Sequence, residues 1–188
     1  MRKIGIYGGT FDPIHHGHLI LAQATREQLG LDQVIFVPAA ASPFKKEPRA
    51  SAATRLVMLQ AATKSEATFA IDDCELRRPP PSYTIDTVLD LRERNPNADL
   101  LWLIGADNVN GLSKWHRFQE LKDLIQFVVL DRACSQLSVP YPVVQRNIDI
   151  SATDIRNRVA SSRSIRYLVP QAVAEIIQRE NLYRGSAT

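Results

Sequence analysis

The sequence predicts an α/β fold, a doubly wound parallel sheet of the Rossmann-like kind. Short apolar runs alternate with amphipathic segments along the 188 residues. These apolar runs are continuous, which is typical of strands that helices cover on both faces of a parallel sheet. A glycine pair follows the first apolar run, and in such a sheet the loop after the first strand lies at the ligand-binding edge. With right-handed crossovers, these observations predict helices on both sides of one sheet.

Strand and helix alternate in the first half of the chain. Strands are predicted at 3–7, 33–37 and 68–76, and helices at 17–29 and 51–64. Gly30 would end the first helix, and Ser51 would cap the second. The inward residues of the second helix would be Leu56, Leu59 and Ala62.

The alternation continues after an extended segment formed by the prolines at 79–81. Ser82 would cap the next helix. The predicted inward residues of that helix are Ile85, Val88 and Leu89. Strands are predicted at 99–104, 126–130 and 143–150, and a short helix at 118–122. Ser151 would open another helix, and Pro170 would be the first residue of the last one. We expect a single domain over 1–188, with its C-terminal helical part, about 151–184, packed on it.

The composition is that of an ordinary globular chain, and it narrows the class of ligand only slightly. The net charge is +3 and the pI about 9.0, without a run of like charges, so a nucleic-acid partner is not expected. Cys74 and Cys134 show neither CxxC spacing nor metal-ligand spacing. The sequence has no apolar run of membrane-spanning length and no signal-peptide pattern. We expect a cytoplasmic protein without a membrane partner; whether it is a homo-oligomer stays open.

Residues 8–19, GGTFDPIHHGHL, hold three of the four histidines immediately after the first predicted strand. The loop is neither GxGxxG nor GxxxxGK[ST], so the usual dinucleotide and P-loop patterns are excluded. The loop can nevertheless bind an anion by the same physical means as those two patterns. Its glycines allow close backbone approach, and the helix N-terminus offers unpaired N–H groups to an anion. We therefore expect an anionic ligand at this loop.

His15 and His18 are three positions apart across the predicted helix start, so both side chains can face the same side. Two imidazoles there can donate hydrogen bonds to phosphate oxygens and stabilise charge that develops at phosphorus. Two alternatives stay open from the residues alone: histidines that only cap the helix or lie at the surface, and a zinc site. Zinc-binding helices usually place ligands at i and i+4, which disfavours the second alternative. His16 would point elsewhere, and we expect it to be incidental.

The loop resembles the HxGH motif of the nucleotidyltransferase superfamily, with His15, Gly17 and His18 at its matching positions. The resemblance implies that both histidines bind the triphosphate of ATP and stabilise the transition state. It also implies ATP contacts for the residues that precede them in the loop. Those residues are Gly8, Gly9, Thr10 and Phe11.

A second stretch, SATDIR at 151–156, resembles another motif of the same superfamily, Ser-(Ser/Ala)-Thr-x-Ile-Arg. Ser151 and Asp154 have the spacing of a helix cap, and a simple cap is the alternative reading of this stretch. The N–H groups of Ala152 and Thr153 would face an anion, and Arg156 would add a planar charged fork. The resemblance implies that a second helix N-terminus meets the same triphosphate and that Arg156 is catalytic.

The acceptor is predicted from PSYTIDT at 81–87, which resembles the same segment of bacterial nicotinate-nucleotide adenylyltransferases. The resemblance implies that Thr84 and the helix start meet the nicotinate carboxylate. A helix N-terminus would favour a carboxylate over a neutral amide. A simple cap by Ser82 is the alternative.

The same resemblance implies roles for six further positions, and next to one of them the sequence departs from the family pattern. Gly105 and Asp107 would contact the nucleotide, and His116 would meet the carboxylate through its backbone. Trp115 would stack on the pyridine ring, the alternative being a core tryptophan. Arg132 would reach phosphate, or else form a surface salt bridge. Lys45 would bind the nicotinate nucleotide, although Phe44 stands where family members have histidine.

The expected reaction is adenylyl transfer from ATP to nicotinate mononucleotide, which yields deamido-NAD and pyrophosphate. The small-molecule partners would be these two nucleotides, and Mg²⁺ would arrive with ATP rather than in a protein metal site. The resemblance runs from residue 3 to about 184 and includes SIRYLVP at 164–170 and NLYR at 181–184, which we interpret as structural. Two alternatives stay open: a transferase of the same fold with another acceptor, such as nicotinamide mononucleotide or phosphopantetheine, and a non-catalytic nucleotide-binding module.

Overall fold

A single parallel sheet forms the centre of the molecule, described here from a computed structural model for residues 1–40, 47–79, 81–133 and 138–185. Within these residues the sheet has six strands in the order β3-β2-β1-β4-β5-β6. The strands are β1 (Arg2–Gly9), β2 (Gln33–Pro38), β3 (Phe69–Ile71), β4 (Ala98–Gly105), β5 (Gln126–Asp131) and β6 (Val143–Gln145). All neighbouring pairs are parallel, and Ile6 of β1 lies opposite Ile35 of β2 and Trp102 of β4. The predicted doubly wound α/β class is confirmed.

Helices cover both faces of this sheet. They are α1 (His16–Leu29), α2 (Ala52–Thr63), α3 (Cys74–Arg77), α4 (Thr84–Arg94), α5 (Phe118–Leu124), α6 (Ala152–Ala160) and α7 (Gln171–Arg179), with a 3₁₀ helix at Ala106–Lys114. One core cluster joins α1, α2, α6 and α7 to one face, and the second joins α3, α4, α5 and the 3₁₀ helix to the other. This burial on both faces explains why the strands are continuously apolar. Alternate residues of a strand point to opposite faces of the sheet, so Tyr7 belongs to the first cluster and Ile6 to the second.

Two predicted helix boundaries follow from local chemistry. Gly30 takes a left-handed conformation, φ 62°, and its N–H closes the end of α1 on the carbonyl of Arg26. Ser51 caps α2, because its side chain accepts a hydrogen bond from the N–H of Thr54 at 3.1 Å. Both predictions are confirmed.

The predicted strand at 68–76 is wrong in its second half. The strand ends at Ile71, and the carboxylate of Asp72 accepts a hydrogen bond from the N–H of Cys74 at 3.0 Å. This side-chain-stabilised turn leads directly into α3. The last strand is also shorter than predicted, since β6 ends at Gln145.

Several helix faces and caps differ from prediction. In α2, Leu56 and Ala62 are only half-buried, whereas Arg55 and Met58 are buried, so the inward face is rotated. Leu89 of α4 is exposed, because the inward side of that helix continues to Leu91. The starts of two helices also differ from the prediction by one residue. Tyr83 rather than Ser82 caps α4, and Pro170 is the cap of α7 rather than its first residue.

The chain crosses from one side of the sheet to the other around β1. After β1 the sheet grows through β2 and β3, and it resumes on the opposite edge of β1 with β4. The carboxyl ends of β1 and β4 therefore border the crevice where ligands bind in open α/β sheets. Among the described residues, no helix combines the length and the apolar character that crossing a membrane requires.

Candidate active site

The end of β1 packs against aromatic rings, and this explains why its last two residues, Gly8 and Gly9, are glycines. A Cβ at Gly8 would lie 2.6 Å from Cζ2 of Trp102, and one at Gly9 would lie 2.8 Å from Cζ of Phe11. Phe11 itself has φ 49°, a left-handed conformation that turns its ring back into the core, where it is buried. The side-chain space of both glycines is therefore already filled by aromatic rings.

His15 and His18 lie together at the start of α1, as their spacing predicts. His15 caps the helix and is 1% exposed, whereas His18 is half-buried in the first turn. Their rings stack with centroids 3.7 Å apart, and the backbone N–H of His15 donates to Nδ1 of His18 at 3.3 Å. The ring of Phe11 meets His18 edge-on at 5.1 Å. The pair therefore forms one packed unit at the helix N-terminus.

His15 is a neutral imidazole at neutral pH. Burial, which is the largest cause, and the nearby positive charges of Arg132 and His16 together lower its pKa to about 3. Its buried Nδ1 has no hydrogen-bond partner among the described residues. A neutral ring can still donate one N–H to an anion, so His15 is suited to hydrogen bonding rather than to carrying charge.

Asp12 connects the histidine loop to three other parts of the chain. Its buried carboxylate accepts hydrogen bonds from the backbone N–H groups of Arg49 at 2.8 Å and Ala50 at 3.2 Å. It also accepts one from the hydroxyl of Tyr183 at 2.7 Å, while its carbonyl accepts one from Nη1 of Arg156 at 2.7 Å. Sequence reasoning missed Asp12 and Tyr183, because a single aspartate and a single tyrosine 171 positions apart give no spacing signal.

The N-terminus of α6 therefore meets the histidine loop directly. Ser151 caps the helix by accepting from the N–H of Asp154 at 3.1 Å, which confirms the predicted cap. Arg156 holds Thr153 Oγ1 with Nη2 at 3.1 Å and the carbonyl of Asp12 with Nη1. Ala152 is half-buried in the first turn of this helix, and Thr153 is exposed. The two motifs found in the sequence are thus joined by one guanidinium.

Arg55 of α2 supports the same loop from behind. It is 1% exposed, and its Nη1 donates to the carbonyls of Thr10 at 2.7 Å and Ala39 at 2.8 Å. It thereby ties the end of β1 to the residues after β2. The sequence offered no signal for this role, since one arginine in an amphipathic helix is normally on the solvent side.

Arg132 follows β5 and lies near the histidines. Its guanidinium donates to the carbonyl of Ile150 at 3.0 Å, just before α6. Its charge lowers the pKa of His15, and at Tyr7 it opposes the rise in pKa that burial causes. The turn that carries it is held by Asp131, whose carboxylate accepts from the N–H of Ala133 at 3.0 Å. Arg132 therefore lies near His15 and the segment that leads into α6.

The predicted acceptor residues gather at the other side of the crevice. Thr84 is the first residue of α4 and is half-buried, and the preceding Tyr83 stacks on His116 with ring centroids 4.3 Å apart. Trp115 ends the 3₁₀ helix and is half-buried. Its ring meets Trp102 edge-on at 6.4 Å, so Trp102 connects this group to the histidine loop.

A buried carboxylate braces the start of α4 from below. Glu75 of α3 accepts a hydrogen bond from the hydroxyl of Thr87 at 3.0 Å, and its carbonyl accepts one from Ser82 at 3.3 Å. Nη1 of Arg78 also donates to Thr87 at 3.0 Å. Burial raises the pKa of the Glu75 carboxyl, and the Thr87 hydrogen bond and the Arg78 charge oppose that rise. Ser82 therefore anchors the loop to α3 and does not cap the helix.

Three predicted positions remain to be placed. Gly105 ends β4, and Asp107 is exposed in the 3₁₀ helix that follows, where its charge raises the pKa of Tyr7. Lys45 lies outside the described residues. No cluster of three or more histidine, cysteine, aspartate or glutamate side chains in the described part of the chain could hold a metal ion.

The fold and its paired motifs define a nucleotidyltransferase, and the cytidylyltransferase-like family model matches residues 6–158. The chain is 42% identical to a Methylacidiphilum infernorum protein named probable nicotinate-nucleotide adenylyltransferase, across 99% of this chain and 94% of that one. It is 40% identical to the nicotinate-nucleotide adenylyltransferase of Bacillus subtilis, across 98% of this chain and all of that one. The chain therefore belongs to the cytidylyltransferase-like family and, within it, to the nicotinate-nucleotide adenylyltransferases.

A solved structure supports the fold assignment independently. The nicotinic acid mononucleotide adenylyltransferase of Plasmodium falciparum, complexed with NaAD, matches with a TM-score of 0.81. The match covers 97% of this chain and 98% of that chain at 19% identity. At that identity the likeness establishes the arrangement of sheet and helices.

Proposed function

We propose that this protein transfers the adenylyl group of ATP to nicotinate mononucleotide, giving deamido-NAD and pyrophosphate in NAD biosynthesis. One observation carries the proposal: Arg156 of the second motif is bonded to the carbonyl of Asp12, three residues before His15. Two helix N-termini and their cationic or N–H-bearing side chains thus share one crevice. The full-length relatives named nicotinate-nucleotide adenylyltransferase support the choice of acceptor.

The reaction needs positioning and charge stabilisation rather than a covalent intermediate. A phosphate oxygen of nicotinate mononucleotide attacks the α-phosphorus of ATP. A new P–O bond forms, the bond from the α-phosphorus to the bridging oxygen breaks, and pyrophosphate leaves with that oxygen. His15 and His18 donate N–H groups to the phosphate oxygens, and Arg156 stabilises the charge that develops there.

The remaining ATP contacts in the proposal come from backbone and small side chains around the two helix starts. They are Gly8, Gly9, Thr10, Phe11, Gly105, Asp107, Ser151, Ala152 and Thr153. Support comes from the helix N-termini, whose unpaired N–H groups favour an anion. Asp107, exposed at the end of β4, is suited to accept hydrogen bonds from sugar hydroxyls.

The acceptor would bind between α4 and the end of the 3₁₀ helix. Thr84 and the backbone of His116 would meet the nicotinate carboxylate, and the half-buried ring of Trp115 would stack on the pyridine. Arg132 would bind the phosphate of the acceptor, since its charge already reaches His15. Lys45 stays a proposed contact from the resemblance alone.

Mg²⁺ would enter the site bound to the triphosphate. The donor set fits this arrangement, because no group of three or more histidine, cysteine, aspartate or glutamate side chains among the described residues could form a cage around the ion. The ion would supply charge neutralisation on the phosphate oxygens. A cytoplasmic location and small-molecule partners belong to the same proposal, and the metabolite substrate named for the relatives supports them.

A pyrophosphate-release assay with ATP and a panel of acceptors tests the proposal. Release with nicotinate mononucleotide, and much less with its amide, is the expected result. Release with nicotinamide mononucleotide or phosphopantetheine instead would assign a different acceptor within the family. No release with any acceptor, despite ATP binding, would identify a nucleotide-binding module and overturn the proposal.

A further inference from the structure

We propose that Tyr183 and Asp12 are positioning residues for the ATP half of the active site. The C-terminal turn would then be a working part of the phosphate site, acting through Asp12 on Arg156 and the histidine loop. This inference rests on the proposed function, because it assumes that Arg156 and the histidines hold the triphosphate.

The hydrogen bonds run in one continuous path from the C-terminal turn to the phosphate site. The hydroxyl of Tyr183 donates to Oδ1 of Asp12 at 2.7 Å. The carbonyl of Asp12 accepts from Nη1 of Arg156 at 2.7 Å, and Nη2 of Arg156 donates to Thr153 at 3.1 Å. Two of the five N–H groups of this guanidinium therefore orient it, and its buried Nε has no hydrogen-bond partner among the described residues.

The backbone after α7 is shaped to deliver Tyr183 to Asp12. Asn181 and Tyr183 both have left-handed backbones, with φ of 51° and 59°. Such conformations are uncommon outside glycine, and they persist where surrounding contacts over-determine them. The N–H of Leu182 bonds to the carbonyl of Ile177, and Glu180 accepts from the hydroxyl of Thr54 at 3.0 Å. The turn is thus held against α2 and aimed inward.

Charged groups surround the Tyr183 hydroxyl. Asp12 is 5% exposed and interacts electrostatically with the cation of Arg55, and the charges of Arg55 and Arg156 oppose the rise in the pKa of Tyr183 that burial and Asp12 cause. Burial and the hydrogen bond to Asp12 raise the pKa of Tyr183, so the hydroxyl stays protonated and remains a donor. One buried carboxylate is thereby balanced by two buried or half-buried guanidinium groups.

The contacts of Asp12 restrict the effect to one substrate. Its partners lie at residues 49–50, on α6 and at Tyr183 in the C-terminal turn, whereas the proposed pyridine contacts lie at the start of α4 and just after the 3₁₀ helix. If Tyr183 has a purely structural role, removing its hydroxyl should lower stability and change the KM values of both substrates alike. If it positions the ATP site, removing the hydroxyl should weaken ATP binding selectively.

Tyr183→Phe removes the hydroxyl and keeps the buried ring. We expect the Kd of ATP, measured by calorimetry, and the KM for ATP to rise about tenfold, as for a lost hydrogen bond to a charged group. The KM for nicotinate mononucleotide should stay within about twofold. Tyr141→Phe is the matched control, since Tyr141 is a half-buried tyrosine at the opposite edge of the sheet, next to Phe127. It should leave both values unchanged.

A double-mutant cycle with Asp12→Ala, which removes the acceptor of the Tyr183 hydroxyl, tests the path itself. If Tyr183 acts through Asp12, adding Tyr183→Phe to Asp12→Ala should change ATP affinity by less than about twofold. Full additivity of the two effects would overturn the proposal. So would a Tyr183→Phe protein with a lowered Tm but unchanged ATP affinity, or with equal rises in both KM values.

Failure of this inference can be distinguished from failure of the proposed function. ATP affinity is measured by calorimetry without any acceptor, so the comparison of Tyr183→Phe with wild type does not depend on turnover. A wild-type protein that binds ATP but forms no deamido-NAD would overturn the function and leave the positioning test intact.

Discussion

The two sides of the crevice are built differently. On the proposed phosphate side, buried and half-buried polar groups are linked by hydrogen bonds between distant segments, with Asp12, Arg55 and Arg156 at the centre. On the proposed acceptor side, half-buried or exposed rings rest on one another, as Tyr83 does on His116. The polar groups that hold the start of α4 in place lie beneath the helix, at Glu75 and the residues hydrogen-bonded to it, and not at the surface of the crevice.

This difference agrees with what each side has to do. Charge develops on phosphate oxygens during the reaction, and donors that are already oriented stabilise that charge without reorganising. A flat pyridine ring needs a flat surface and one end that favours a carboxylate, which tolerates more adjustment. Changes on the phosphate side should therefore lower turnover, whereas changes on the acceptor side should mainly raise the KM for one substrate.

His18→Ala should have the largest effect. Loss of this donor is expected to lower kcat by at least about two orders of magnitude, as for an oriented donor to a developing negative charge. Steady-state kinetics with both substrates measures the change. His16→Ala is the control and should leave kcat within about twofold. A small effect of His18→Ala would mean that the histidine pair is structural and that the contrast between the two sides is wrong.

Arg156→Lys should lower kcat/KM for ATP by about ten- to a hundredfold although the charge is kept. An ammonium group cannot bond the carbonyl of Asp12 and the hydroxyl of Thr153 and still present a planar fork to phosphate. Comparison with Arg158→Lys, on the same helix, controls for a general effect on α6. Retention of activity in Arg156→Lys would show that charge alone matters there.

Trp115→Ala should raise the KM for nicotinate mononucleotide by about tenfold and change the KM for ATP by much less. The reason is loss of the proposed stacking surface. Trp115→Phe should restore part of the affinity. Equal effects on both substrates would instead identify Trp115 as a core residue that supports the whole crevice through Trp102.

The most specific effect concerns His15 and the dependence of stability on pH. Its pKa is about 3 in the folded protein and about 6.5 when unfolded, so in that range the unfolded chain binds more protons. The free energy of unfolding should therefore rise with pH between these values, by up to about 1.4 kcal/mol per pH unit for this proton. Urea unfolding of wild type and His15→Asn across acid and neutral pH measures it. The stability difference between the two proteins should grow in favour of wild type as pH rises; parallel curves would contradict the burial argument.

The sequence predicted the sheet and both helix starts at the phosphate site because their signals are local. The apolar runs are continuous, and the glycine pair and each of the two short motifs span only a few residues. Local signals failed where a side chain ended an element early, as Asp72 does after β3. They also failed at the helix faces of α2 and α4, where tertiary packing decides which residues are buried.

The supporting residues could not be predicted because their partners are distant in the chain. Asp12 and Tyr183 meet across 171 positions, and Arg55 binds carbonyls 45 and 16 positions away. Carbonyl acceptors are present at every residue, so no sequence pattern marks those that a buried arginine will use. The residues that support a motif from elsewhere in the chain can therefore be identified only in the folded structure.

Trp102 lies beneath both sides of the crevice. Its indole fills the side-chain space of Gly8 and meets Trp115 edge-on. A methyl group at position 8 would push on a ring that supports the acceptor wall, so substitutions at 8 and 115 should show epistasis. Through this shared indole, a change at the proposed acceptor wall is coupled to the packing at Gly8, so the two sides of the crevice are mechanically linked although their functional groups lie apart.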